Sequence, residues 1–187
     1  MVREALLRDG ALTGDFEARR AGLQATVERF LRCIDATPDE RWKEPARPDK
    51  WSPAEIGEHL VLTYDAVLRE LGGGVGMRLR LNWWLRLYAR VRYLRPLLEQ
   101  GRFPERARAV REVRPTGPVR GKPELVQVFR ERARAFDQGI AAAHAKGGFR
   151  MTHPFFGRLH VSDSVRLVDV HIEHHRKQLP NVQGDSQ

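Results

Sequence analysis

Residues Trp51–Leu60, WSPAEIGEHL, carry the plainest folding instruction in the chain. The Ser52 hydroxyl can cap a helix, Pro53 takes the first helical position, where its missing N–H costs nothing, and Glu55 sits where its carboxylate reaches back to the cap. The spacing predicts a helix from Pro53 to about Leu71, ended by the glycines of LGGGVG (71–76), which enter the left-handed conformation that terminates helices. Within it Ile56, Leu60, Thr63 and Val67 form one stripe, and His59 lies about 60° from Ile56, at the stripe's edge.

Working outward, three more segments repeat apolar residues at helical spacing. The first runs from about Asp15 to Ala36 with Leu23, Val27, Phe30, Leu31 and Ile34. Another runs from about Pro123 to Ala145 with Leu125, Phe129, Phe136, Ile140 and Ala143, and KGG (146–148) ends it. The last runs from about Ser162 to Leu179 and is stopped by Pro180. No convincing run alternates in the manner of a strand, and no internal repeat is present. An all-α, four-helix bundle of one domain spanning 1–187 is expected, in an up-and-down arrangement whose longest link allows a crossover.

That link, residues 77–121, is rich in arginine. A helix starting after Asn82 and running to about Leu98 places Trp83, Trp84, Leu87, Val91, Leu94 and Leu98 in an arc of about 100°, edged by Arg86, Arg90, Arg92 and Arg95. The arc is expected to pack on the bundle or to join two copies in a homodimer; an anionic membrane surface is the less favoured alternative. From about Gly101 to Gly121 the composition suits a long irregular connection.

The chain has 187 residues, 41% of them hydrophobic, and a formal net charge of +9, which favours an anionic partner or substrate without choosing among them. Cys33 is the only cysteine, so an internal disulfide and a thiolate-rich zinc finger are both excluded. Any metal must be held by His, Asp or Glu. No signal-like or membrane-spanning run is evident, and a cytoplasmic protein is expected.

The histidines of the last helix sharpen the reading. At about 100° per residue, with Val168 as zero, Val165, Ile172 and Leu179 lie within about 60° of it, and His175 falls inside that stripe at about −20°. His171 is about 40° further round, at the edge, while His174 is rotated outward. His59, His171 and His175 therefore all border buried stripes, where an imidazole without partners forfeits its hydrogen bonds to water. A divalent ion would satisfy all three; a backbone carbonyl or neighbouring side chain is the commoner partner for any one of them.

Three segments in order, KWSPAEIGEHL (50–60), HPFFGRL (153–159) and HIEHHRKQL (171–179), resemble the landmarks of the DinB/YfiT-like superfamily of metal-dependent bacterial proteins. The resemblance covers most of the chain and implies a four-helix bundle with a three-histidine metal site on His59, His171 and His175. Such a site leaves open positions for water or substrate, with zinc or nickel as the expected occupant. Related proteins include thiol-dependent transferases and an isomerase. The resemblance does not extend to the arginine-rich segment from Met77 to Gly121.

Other residues are weighed beside these. His153 precedes Pro154 and either lines the mouth of the metal cavity or pins the turn while Phe155 and Phe156 fill the core. His144 and His160 read as surface residues, Glu58 and Glu173 as solvated, and Trp51 as a hydrophobic staple at its helix start. Asp169 lies near enough to the interface to support a ligand. No general base stands out. Two functions follow: a metalloenzyme, either a thiol transferase or a hydrolase, acting on a small molecule with a low-molecular-weight thiol; or a non-catalytic protein whose basic surface binds nucleic acid or anionic lipid.

Overall fold

The computed structural model describes residues 2–103 and 109–180, with side chains from residue 15 onward. Four long helices dominate: α1 (Val2–Ala36), α2 (Pro53–Leu71), α5 (Lys122–Lys146) and α6 (Val161–Arg176). Two short ones, α3 (Trp83–Ala89) and α4 (Arg95–Gln100), stand between α2 and α5, and a two-stranded antiparallel hairpin, β1 (Arg150–His153) and β2 (Gly157–His160), precedes α6. The molecule is mostly helical. No helix among the described residues is long and apolar enough to cross a membrane.

The helix at Pro53 begins as its sequence dictates. Ser52 Oγ accepts from the Glu55 N–H at 3.3 Å, and the Ser52 N–H donates to Glu55 Oε2 at 2.8 Å, closing the capping box. Packing then follows the stripes: Ile56, Leu60 and Val67 of α2, Leu125, Phe129, Phe136 and Ile140 of α5, Phe30 and Ile34 of α1, and Val165, Val168 and Ile172 of α6 share one buried cluster. The backbones of α2 and α5 and those of α1 and α6 pair closely, and α5 also meets α1 and α6. Gly57 makes the α2–α5 approach possible, since a Cβ there would stand 2.3 Å from Leu125 Cδ2.

Several expectations change. The first helix begins at Val2 rather than Asp15, and the last ends at Arg176, with Leu179 tucked in by the turn that follows. The hairpin departs from the all-α expectation. Its strands are four residues each, too short for alternation to stand out: Met151 and Leu159 face inward and pair with each other, and Gly157 turns the chain at φ +73°. The connection from Gly101 to Gly121 is irregular apart from one turn of tight helix at Arg111–Val113, and residues 104–108 of it lie outside those described.

The helix expected from Asn82 to Leu98 forms, but not as one cylinder. A π turn at Arg90–Leu94 interrupts it. The wider turn rotates the phase, so that Ala89, Leu94 and Leu97 face the core while Trp83, Trp84, Leu87 and Val91 remain exposed. The arc read from a uniform 100° per residue is thus split, and its aromatic half is not packed on the rest of the chain.

Candidate metal centre

His59 projects from the middle of α2, and His171 and His175 from the last two turns of α6. Their three Nε2 atoms converge: His171 Nε2 is 3.1 Å from His59 Nε2 and 3.1 Å from His175 Nε2. One ligand atom from each residue lies within 4.8 Å of the others, and this is the one group of three or more His, Cys, Asp or Glu side chains among the described residues arranged to hold an ion. The backbones of α2 and α6 are not among those that pair closely; the two helices meet through their imidazoles, His59 Nε2 lying 3.1 Å from His171 Nε2.

The outer nitrogens fix which form two of the rings take. His59 Nδ1 lies 2.7 Å from the Val113 carbonyl, which can only accept, so Nδ1 carries the proton and Nε2 presents a lone pair. The Gln178 side chain turns Oε1 to His175 Nδ1 at 2.9 Å and Nε2 to His174 Nε2 at 2.9 Å; an amide oxygen only accepts, so in this arrangement His175 Nδ1 donates and its Nε2 presents a lone pair. Both inner lone pairs face His171. An Nε2–H on His171 could be given to only one of them at a time, leaving the other unmatched in a desolvated site. A cation at the centre satisfies all three. Tetrahedral zinc with nitrogens at about 2.0–2.1 Å sets them about 3.3 Å apart, close to the two 3.1 Å spacings from His171, and the third pair lies within 4.8 Å, so the donor set is of the kind that holds a divalent ion.

Burial keeps these rings neutral. It lowers His59 from its ordinary 6.5 to about 4, although its bond to the Val113 carbonyl pulls the other way. Burial, reinforced by the neighbouring His59 and His174, lowers His175 to about 3, and burial first, then the adjacent His175 and His59, hold His171 well below its ordinary value. Two aromatic rings wall the site. Trp51 lies 4.8 Å from the His59 ring and 6.1 Å from His175, and Phe103 lies 5.3 Å from His171. Trp51 therefore does more than staple a helix start.

The remaining candidates fall on either side of expectation. His174, rotated outward as its angle requires, is half-buried, lies 5.0 Å from the tilted Phe103 ring and meets Gln178 rather than joining the cluster. His153 pins its turn, Nδ1 accepting from the N–H groups of Phe155 and Phe156 at 3.3 Å each, and stacks on Phe156. Asp169 is spent elsewhere, accepting from Thr26 at 2.5 Å and from Arg166 at 2.6 Å, and supports none of the three histidines. Glu58 is not solvated. It is buried and holds both the backbone N–H and the guanidinium of Arg120. Glu173 is half-buried in an ion pair with Arg176, His160 is exposed, and His144 stacks on Phe16.

Gln178, Val113 and Phe103 were not among the residues singled out by sequence. Gln178 had a legible signal, standing three residues after His175 and four after His174 on the same helical rows. The Val113 carbonyl had none, because a backbone group carries no sequence signature.

No curated protein and no solved structure matches the chain. A family model described as the DinB superfamily matches residues 16–179, a span that holds all three histidines, the whole of α2, α5 and α6, and the greater part of α1. By that match the chain belongs to the DinB superfamily.

Proposed function

We propose that the protein is a metal-dependent enzyme whose His59, His171 and His175 hold one divalent ion, zinc or nickel, within an up-and-down bundle formed by the four long helices. The observation that carries this reading is the pair of inner lone pairs, on His59 and His175, fixed toward a third imidazole that cannot satisfy both. A bound ion would supply Lewis acidity, lowering the pKa of a water or thiol presented at its open positions.

The chain's own part is positioning and exclusion. The Val113 carbonyl and the Gln178 amide lock two rings in their ligating form, and Trp51 and Phe103 keep bulk water from the rings' faces. No carboxylate joins the cluster among the described residues, so the donors are all neutral. An anionic group from the substrate side would complete such a set, which supports a low-molecular-weight thiol, and hence thiol-dependent transfer to a small molecule, as the reaction class.

The test begins with elemental analysis of untagged protein, expected to show one equivalent of metal. His175→Ala should abolish tight binding and His174→Ala leave it nearly intact; equal loss from both would overturn the ligand set. Metal-dependent turnover that rises with added thiol supports transfer, and turnover indifferent to thiol points to hydrolysis.

A further inference from the structure

The aromatic face of α3 is the least expected part of the surface. Trp83 is 72% exposed, Trp84 54%, Leu87 58%, Tyr88 58% and Val91 67%. Trp83, Leu87 and Val91 follow one another at four-residue spacing and Trp84 and Tyr88 run beside them, so they form one continuous apolar strip. Large side chains are rarely left in water as a contiguous group without a partner.

The charge around the strip says what that partner is. Between Leu71 and Leu98 the sequence holds six arginines, at 78, 80, 86, 90, 92 and 95, and not one Asp or Glu. Arg80 is paired with Glu112 and Arg95 with Glu99. Arg86 and Arg90 each give an N–H to a backbone carbonyl, of Leu81 and Arg158, and Arg92 lies over the Tyr93 ring. None of Arg78, Arg86, Arg90 and Arg92 forms an ion pair with a described residue. The charges of Arg86, Arg90 and Arg92 are held in place beside exposed tryptophan by contacts that do not neutralise them.

We propose that this face docks on the surface of an anionic bilayer, with α3 lying in the plane of the headgroups. Trp and Tyr rings are amphipathic and settle at that depth, while arginine fork geometry suits lipid phosphates. A second copy of the chain is a poorer occupant. A two-fold contact would set the same arginines against themselves with no acid in the segment to neutralise them.

The experiment uses the full chain with vesicles of phosphatidylcholine alone and of equal parts phosphatidylcholine and phosphatidylglycerol, read by flotation and by tryptophan emission. The expected result is binding at least roughly tenfold tighter to the anionic vesicles, weakened by salt, with emission shifting to the blue as Trp83 and Trp84 leave water. A variant carrying Trp83→Ser and Trp84→Ser keeps every charge and loses only exposed groups. It should retain its circular dichroism and metal content, and lose most of the vesicle binding and the blue shift. Binding by this variant equal to that of the unaltered chain would show that net charge alone attracts the vesicles, and would overturn the proposal. So would equal affinity for neutral vesicles, a concentration-dependent dimer that the double variant abolishes, or duplex DNA binding lost in the same variant.

Discussion

A histidine at the edge of a buried stripe must place two ring nitrogens, and His59 places one on a backbone carbonyl and turns the other toward His171. Its burial has a thermodynamic consequence shared with its neighbours. The unfolded chain takes up protons on histidine near pH 6.5, whereas the folded chain keeps His59 and His153 neutral until about pH 4 and His175 until about 3. The unfolded state therefore binds more protons throughout that window, so the stability these residues contribute is complete above pH 6.5 and is lost as pH falls toward 4. Metal-free protein should show a falling Tm across this range. His153→Asn keeps an acceptor for the Phe155 and Phe156 N–H groups while removing one titrating ring, so its Tm should fall less steeply between the same limits. Parallel slopes for the two proteins would show that folding leaves the proton affinity of His153 unchanged.

At the scale of elements, the close approach of α2 and α5 depends on a residue with no side chain. Alanine normally improves a helix over glycine by about 1 kcal/mol. At position 57, however, a Cβ would lie 2.3 Å from Leu125 Cδ2, and Leu125 is wholly buried with little room to turn away. Overpacking of this kind costs about 1–3 kcal/mol, which outweighs the helix gain. Gly57→Ala should lower Tm, and combining it with Leu125→Val should recover part of the loss; a rise in Tm for the single variant would show that the helices part easily. The interrupted helix at 83–100 illustrates the same dependence on geometry. One π turn decides whether an apolar stripe is core or surface, and Ala89 and Leu94 share a face only because of it.

For the molecule as a whole, the segment from Ala109 to Gly121 acts as a strap that brings a carbonyl to the histidine cluster. Glu58 holds Arg120, Trp42 Nε1 donates to the Arg120 carbonyl at 3.0 Å, Arg80 holds Glu112, and between these anchors Val113 reaches His59. Glu58→Ala should release one end. The expected outcome is a lower Tm together with metal affinity reduced roughly tenfold or more, measured by chelator competition, because an outer partner orients a ligand ring. A fall in Tm with affinity unchanged would mean that the strap stabilises the fold without positioning His59.

The sequence by itself determined the long helices and the choice of the three histidines that cluster, because both follow from periodicity. Ser52, Pro53 and Glu55 start α2 through contacts three residues apart, and the angles of His171, His174 and His175 on one helix already separate two inward rings from one outward. Partners from far along the chain account for two of the failures, Glu58 and, through Thr26, Asp169. Glu58 looked solvated because nothing local marks Arg120, sixty-two residues away, as its partner. Asp169 looked available until Thr26 and Arg166 claimed it. The hairpin before α6 was too short to alternate visibly. Only the tertiary structure decided that the Trp83 strip stays in water and that α2 and α6 meet through their imidazoles, since both depend on how whole elements are turned and spaced, and helical periodicity fixes angles within an element but not distances between them.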